Sequence, residues 1–182
     1  MKVLIMYASR YGATAVIAEW IAERLTIEGW ETERREAREA PSAFSGYDLV
    51  LMGSGIYANG FLPEMENFIE ERKDELAEVK TAFFGTAMKT ECMFVKGKAM
   101  GGVQIFEKYA ALTGTCIYGE MLHGEMVYAR MTDTDKKGMD YFYRMAGFSE
   151  LEIAERKKPR SLMNKAEVWA FTENLVKRVM KR

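Results

Sequence analysis

A short polar loop near the start of the chain carries the residues best suited to chemistry. The loop SRYGAT, residues 9–14, separates an apolar run from a segment with a helical pattern. Backbone N–H groups in the first turn of a helix lack intrahelical acceptors, and the helix dipole adds partial positive charge there. Hydroxyl groups and a glycine that permits close approach complete a predicted phosphate cradle. The candidate residues are Ser9, Arg10, Tyr11, Gly12, Ala13 and Thr14.

Two roles stay open for Arg10, which either pairs with the bound anion or points to water. The loop lacks the lysine and the spacing of a GxxxxGK[ST] motif, which argues against nucleoside triphosphates as ligands.

The elements around this loop follow a strand–helix alternation. Strands are predicted at residues 2–7, 30–35, 47–53, 79–84 and 115–122, and helices at 13–28, 62–76, 101–112, 133–145 and 165–180. Such alternation indicates an α/β fold with a parallel sheet, right-handed crossovers and helices on both faces. Ligands of these sheets bind beyond the carboxyl ends of the strands. The loops after the first, third and fourth strands are therefore the candidate binding loops.

The loop after the third strand, GSGIYANG at residues 53–60, fits the GxGxxG/A pattern of dinucleotide-binding proteins. That pattern requires a helix to begin within it, whereas Asn59-Gly60 is a turn pair and Pro63 places the helix start later. A nicotinamide site is therefore a weaker interpretation than a second contact loop for the ligand of residues 9–14.

Composition and charge exclude several other classes. The 182 residues carry a formal net charge of −1, and we expect one domain, residues 1–182. No apolar run reaches the roughly 18 residues of a membrane span, and a strand begins without a secretory signal, so a cytoplasmic protein is expected. Cys92 and Cys116 are predicted to be reduced, and His123, the only histidine, gives little basis for a metal site or a Ser/His/Asp triad. No catalytic residue can be assigned.

The motif YASRYGAT at residues 7–14, followed by Ala18 and Ile21, resembles the flavodoxin signature. Met6 departs from it, because the signature prefers a branched aliphatic or aromatic residue there. The resemblance implies a three-layer flavodoxin-like sandwich whose five-stranded parallel sheet has the order 2-1-3-4-5. It also implies FMN as the cofactor, with its phosphate on residues 9–14.

The resemblance further implies that the two later loops flank the flavin ring. Tyr57 would stack on the isoalloxazine, and the Asn59-Gly60 peptide would present a carbonyl to flavin N5–H; a solvated turn with a surface tyrosine is the alternative. After the fourth strand, Met88 would supply an apolar contact and Lys89 a positive charge near reduced flavin. The implied contact residues are Ser54, Gly55, Ile56, Tyr57, Ala58, Asn59, Thr86, Ala87, Met88 and Lys89.

The region around residues 123–160 is longer than a final crossover requires, and we interpret it as an extended insertion. Residues 1–129 hold 13 basic and 19 acidic residues, whereas residues 130–182 hold 13 basic and 8 acidic residues. Within the insertion, the aromatic and methionine-rich segment 139–148 is interpreted as core, with a lid over the flavin, a dimer contact or a weak membrane-surface element as alternatives.

This layout is similar to that of the flavodoxin-like protoporphyrinogen dehydrogenases, which pass electrons to quinone. We therefore expect an FMN-binding, flavodoxin-like redox protein that transfers electrons, with a quinone-linked dehydrogenase of that type as the alternative. The expected partners are a redox protein or a small-molecule acceptor such as quinone, and a homodimer stays open. The basic residues follow no known nucleic-acid motif, which argues against nucleic acid.

Overall fold

The computed structural model describes residues 1–114 and 116–181. Its strands are β1 (Lys2–Ala8), β2 (Glu31–Glu36), β3 (Leu49–Gly55), β4 (Lys80–Ala87), β5 (Met93–Val95), β6 (Lys98–Met100), β7 (Cys116–His123), β8 (Glu125–Met126) and β9 (Arg160–Ser161). Its α-helices are α1 (Ala13–Ile27), α2 (Pro63–Glu71), α3 (Lys73–Leu76), α4 (Glu107–Thr113), α5 (Asp133–Met145), α6 (Glu150–Lys157) and α7 (Lys165–Met180).

Five strands form one sheet in the order β2-β1-β3-β4-β7, with every neighbouring pair parallel. The predicted order 2-1-3-4-5 is confirmed, since β7 is the fifth parallel strand along the chain. The central strand β3 is buried at every position, because helices cover both faces of the sheet.

The two faces of the sheet pack against different helices. One face contacts α1 and α7, whose apolar sides include Ile17, Ile21, Leu25, Val168, Phe171 and Leu175. The other contacts α2 and α4, with Met65, Phe68, Ile69 and Tyr109 in the buried layer. Within the sheet, a β-carbon added at Gly53 would lie 1.9 Å from the Phe84 ring, so glycine is needed there to admit the aromatic side chain.

Several element boundaries differ from the sequence-based expectation. The predicted fifth strand starts at Thr115, which lies outside the described residues, and the strand runs from Cys116 to His123. Strand β4 continues to Ala87, three residues beyond its predicted end. The single helix predicted at 62–76 is interrupted at Arg72, whose guanidinium donates to the carbonyl oxygens of Pro41 and Ser42.

The prediction of a helix at 101–112 is wrong for the first turn. Residues Val103–Phe106 form a 3-10 helix that leads into α4, and residues 93–100 before them form the antiparallel hairpin β5–β6. Positive φ angles at Lys96 and Gly97 make the tight turn of this hairpin. No helix in the described part of the chain is both long and apolar enough to cross a membrane.

The 123–160 region forms a small layer of its own. It contains α5, the unpredicted helix α6 and the two-stranded pair β8–β9. Helix α6 begins at a capping box, in which the Ser149 side chain accepts from the Glu152 N–H and the Glu152 carboxylate accepts from the Ser149 N–H.

Candidate functional site

The three candidate loops meet at the carboxyl edge of the sheet. The hydroxyl groups of Thr14 and Thr86 lie 2.8 Å apart, and both side chains are buried. A β-carbon added at Gly55 would lie 3.7 Å from each of these hydroxyl oxygens. The ends of β1, β3 and β4 therefore converge on one point, as the fold class requires.

The first loop ends at an uncapped helix N-terminus. Gly12 is the residue before α1, with a φ of 99°, and its conformation is left-handed. The helix has no side-chain cap and no acidic residue in its first turn. The Ser9 hydroxyl accepts from the Gly12 N–H at 3.1 Å, which leaves the hydroxyl proton to donate elsewhere. This donor set suits an oxyanion.

Arg10 pairs with a carboxylate from the 123–160 region. Its guanidinium donates to Asp135 Oδ1 at 2.7 Å, and the Tyr11 hydroxyl donates to Asp135 Oδ2 at 2.5 Å. Burial opposes ionisation of Asp135, but the hydrogen bonds from Tyr11 and Arg10 hold its pKa below the usual value.

Two further hydrogen bonds join the same loop to that region. The Thr132 N–H donates to the Tyr11 hydroxyl oxygen at 2.9 Å, and the Arg130 guanidinium donates to the Tyr11 carbonyl at 2.9 Å. The start of α5 is thus docked on the predicted phosphate loop. Sequence reasoning missed this contact, since Arg10 and Asp135 are 125 residues apart and no local pattern links them.

Tyr57 is half-buried beside the same loop. Its ring lies close to Gly55 and under the Arg10 guanidinium. The distance from the ring centroid to the guanidinium carbon is 4.9 Å. Burial and the negative charge of Asp135 raise the pKa of Tyr57 to about 12, so the phenol stays neutral at physiological pH. One face of this aromatic ring is therefore held at the edge where the loops converge.

The turn after Tyr57 is tighter and more anchored than a solvated loop. Tyr57 and Gly60 exchange both backbone hydrogen bonds, and positive φ falls on Ala58 and Asn59 rather than on Gly60. A β-carbon at Gly60 would lie 2.8 Å from a Glu66 carboxylate oxygen and 2.9 Å from the Lys108 ammonium, so a side chain there would displace the ends of these two side chains.

The remaining candidate residues divide between inward and outward positions. Ser54 is fully buried, where its hydroxyl donates to the Gly55 carbonyl and accepts from the Leu62 N–H. Ile56 is partly buried and packs against the apolar core. The Ala87 carbonyl accepts from the Gly124 N–H, while Met88 is partly exposed and Lys89 exposed. Ser54 thus supports the loop from within, and Lys89 stands at its surface.

Two clefts open near this edge of the sheet. One, of about 210 Å³, is lined by residues 7–10 and 36–38 together with Leu62 and Glu64. The other, of about 350 Å³, is lined by His123, Leu162, Asn164 and Glu167. In the second cleft the Glu167 carboxylate contacts both His123 Nδ1, at 2.8 Å, and the His123 N–H, at 3.2 Å.

The aromatic segment of the 123–160 region is core on one side only. Tyr143 is 5% exposed and packs between the rings of Phe142 and Phe148, with centroid distances of 6.0 and 5.9 Å. Tyr141, in contrast, is 66% exposed. The interpretation as core therefore fits Tyr143 and leaves Tyr141 at the surface.

The fold agrees with comparisons to known proteins. Among solved structures, the rubredoxin oxygen:oxidoreductase of Desulfovibrio gigas is similar over 98% of this chain, with a TM-score of 0.53 and 15% identity. This chain spans 37% of that protein's length.

This chain is similar to two flavodoxins over almost the whole length of each flavodoxin. A flavodoxin from the domain Archaea has a TM-score of 0.51 and 19% identity, over 86% of this chain and 99% of its own. The two-electron reduced flavodoxin of Megasphaera elsdenii has a TM-score of 0.52 and 16% identity, over 80% of this chain and 99% of its own. At these identities the likeness shows a shared fold.

The family assignment comes from the sequence as a whole. Residues 4–150, most of the chain, match the family described as a flavodoxin domain. The chain therefore belongs to the flavodoxin domain family, and it is an FMN-binding, flavodoxin-like electron-transfer protein.

Proposed function

We propose that residues 9–14 hold the phosphate of FMN at the N-terminus of α1. The observation that carries this proposal is the uncapped helix start at Gly12. First-turn N–H groups and the Ser9 hydroxyl proton supply donors, and Gly12 leaves open space beside the backbone. Charge-assisted hydrogen bonds of this kind contribute about 1.5–3 kcal/mol each. The donor chemistry therefore fits a phosphate dianion.

The flavin ring is proposed to lie against the loops after β3 and β4. Tyr57 offers an aromatic face at this edge, and a ring stacked on that face would exchange places with the Arg10 guanidinium. Gly55, Thr86 and Ala87 are small enough to permit a planar ring to approach the strand ends. The side chains of Ser54 and Thr14 fix these loops from below through their buried hydrogen bonds.

Bound FMN supplies the electron-accepting and electron-donating chemistry, and this chain's residues bind and orient it. An electron carrier needs no side-chain acid or base at the ring. The carrier is proposed to expose the ring edge beside Tyr57 to a redox protein.

A second candidate is a quinone-linked dehydrogenase of the protoporphyrinogen type. The observation that favours it is the extra layer at residues 123–160, which docks on the phosphate loop through Asp135 and presents the exposed Tyr141. In this proposal the 182 residues form one domain, and its inserted layer shapes access for a small acceptor such as quinone. Two further proposals concern contacts of this chain: that it forms a homodimer, and that its basic end contacts a membrane surface.

Anaerobic photoreduction of the FMN-loaded protein, followed by absorbance, separates the two candidates. A carrier is expected to take up electrons one at a time, with a transient long-wavelength band. Direct two-electron reduction, followed by rapid reoxidation with a quinone, would favour the dehydrogenase. A protein that leaves FMN free in solution would contradict both candidates.

A further inference from the structure

The hairpin β5–β6 is fixed to the loops that we propose for the flavin ring. It follows directly after the β4 loop, and the Asn59 side chain of the β3 loop holds its base. The side-chain oxygen of Asn59, Oδ1, accepts from the Gly101 N–H at 2.7 Å, and the side-chain nitrogen, Nδ2, donates to the Ala99 carbonyl oxygen at 3.5 Å. The hairpin therefore stands beside the proposed ring edge.

The two faces of the hairpin differ in what they contact. In the antiparallel register Phe94 pairs with Ala99, and Val95 pairs with Lys98. Val95 is 8% exposed, so its face lies against the body, whereas Phe94 is 76% exposed and Ala99 is exposed. Because neighbouring strand residues point to opposite faces, Phe94 and Ala99 form one outward apolar pair.

Exposed positive charge lies close to this apolar pair along the chain, with Lys96 in the hairpin turn and Lys98 next to Ala99. Residues 89–98 contain the lysines Lys89, Lys96 and Lys98 against the single acid Glu91, and all three lysine side chains are exposed. This local excess contrasts with residues 1–129 as a whole, which hold 13 basic and 19 acidic residues. An exposed aromatic centre with a charged rim is the usual anatomy of a protein docking surface.

We propose that the hairpin is the docking surface for an acidic redox protein, which it positions beside the flavin edge. The occupant follows from charge complementarity, since a lysine rim attracts carboxylates and repels basic surfaces. The inference rests on the proposed function and names the kind of partner that its site serves. Bound FMN would pass one electron at a time to the partner's oxidised metal centre, and protons released by the flavin on oxidation would pass to solvent.

The test uses stopped-flow oxidation of the photoreduced, FMN-loaded protein by two one-electron acceptors of opposite charge, an acidic plastocyanin and a basic cytochrome c. For K98E at low salt we expect the rate with plastocyanin to fall about 3–10-fold and the rate with cytochrome c to rise. The matched control is K80E, which reverses an exposed lysine at the opposite end of β4. It should change both rates less than about 2-fold, because screening weakens distant charges.

The apolar centre is tested in the same assay. F94S should lower the plastocyanin rate at every salt concentration, whereas L151S, at a 75% exposed leucine on α6, should leave it unchanged. Each variant is first titrated with FMN, and unchanged affinity shows that the site is intact.

Equal rates for K98E and K80E, with FMN bound normally, would overturn the docking surface while leaving the proposed function standing. A dimer in gel filtration that K98E dissociates would also overturn it, because the hairpin would then bind a second copy. Failure of the unaltered chain to bind FMN would instead overturn the proposed function and this inference together.

Discussion

Replacing Asp135 with asparagine removes the charge that joins the 123–160 region to the phosphate loop. The Asp135 side chain is 12% exposed and accepts hydrogen bonds from Arg10 at 2.7 Å and Tyr11 at 2.5 Å. Hydrogen bonds to a charged group contribute about 1.5–3 kcal/mol, and neutral ones about 1 kcal/mol. Because the Arg10 side chain is 33% exposed and partly screened, we expect D135N to lower the free energy of unfolding by about 1–2 kcal/mol.

Asp133 provides the matched control within the same helical turn. Its side chain is 92% exposed and lies 3.9 Å from the Lys136 ammonium. Both substitutions remove one negative charge from the first turn of α5, so both lose a similar helix-dipole term of about 0.3–1 kcal/mol. Any further loss in D135N measures the contact with Arg10 and Tyr11.

Urea unfolding followed by circular dichroism measures this difference, and hydrogen exchange shows whether α5 opens locally. The depressed pKa of Asp135 also fixes the sign of the pH dependence. Its stabilisation is present above the usual carboxyl pKa of about 4 and is lost as the pH falls through the lower value in the folded protein. Equal losses in D135N and D133N at pH 7 would show that the contact of Asp135 with Arg10 and Tyr11 does not stabilise the fold.

Four further substitutions test the packing and the loop. Y143S should lower the free energy of unfolding by about 3 kcal/mol, as expected for loss of a buried aromatic ring, while Y141S should change it by less than about 0.5 kcal/mol; equal effects in urea unfolding would contradict the assigned faces. G53A should prevent soluble expression or lower the melting temperature sharply, because its β-carbon would overlap the Phe84 ring. G12A has open space for its β-carbon but a φ of 99°, so about 1–2 kcal/mol of backbone strain should lower the free energy of unfolding; unchanged stability in urea unfolding would argue against this left-handed loop conformation.

Much of the sheet could be predicted from sequence because β1, β3 and β4 are largely apolar runs bounded by turns. Helix α7 has its predicted bounds, since Val168, Phe171, Leu175 and Val179 repeat at helical spacing and are all buried. The hairpin β5–β6 could not be predicted in this way. Its strands are three residues each, and the segment MFVKGKAM shows no alternation long enough to read.

The candidate site also has one part that could be predicted from the sequence and one part that could not. The first loop was predictable because hydroxyl residues and a glycine lie between a strand and a helix, which is a local pattern. The contacts from Asp135, Thr132 and Arg130 depend on tertiary packing across more than a hundred residues, and no local signal carries them. A local signal for α6 did exist in the Ser149–Glu152 capping box and was missed.

The most direct test of the account compares the binding of FMN and riboflavin, which differ only in the phosphate. Flavin fluorescence is titrated with the unaltered protein at low and moderate salt. If residues 9–14 hold the phosphate through at least two charge-assisted hydrogen bonds, FMN should bind about 100-fold more tightly than riboflavin or better. Equal affinity for the two flavins would contradict the assignment of the phosphate to this loop.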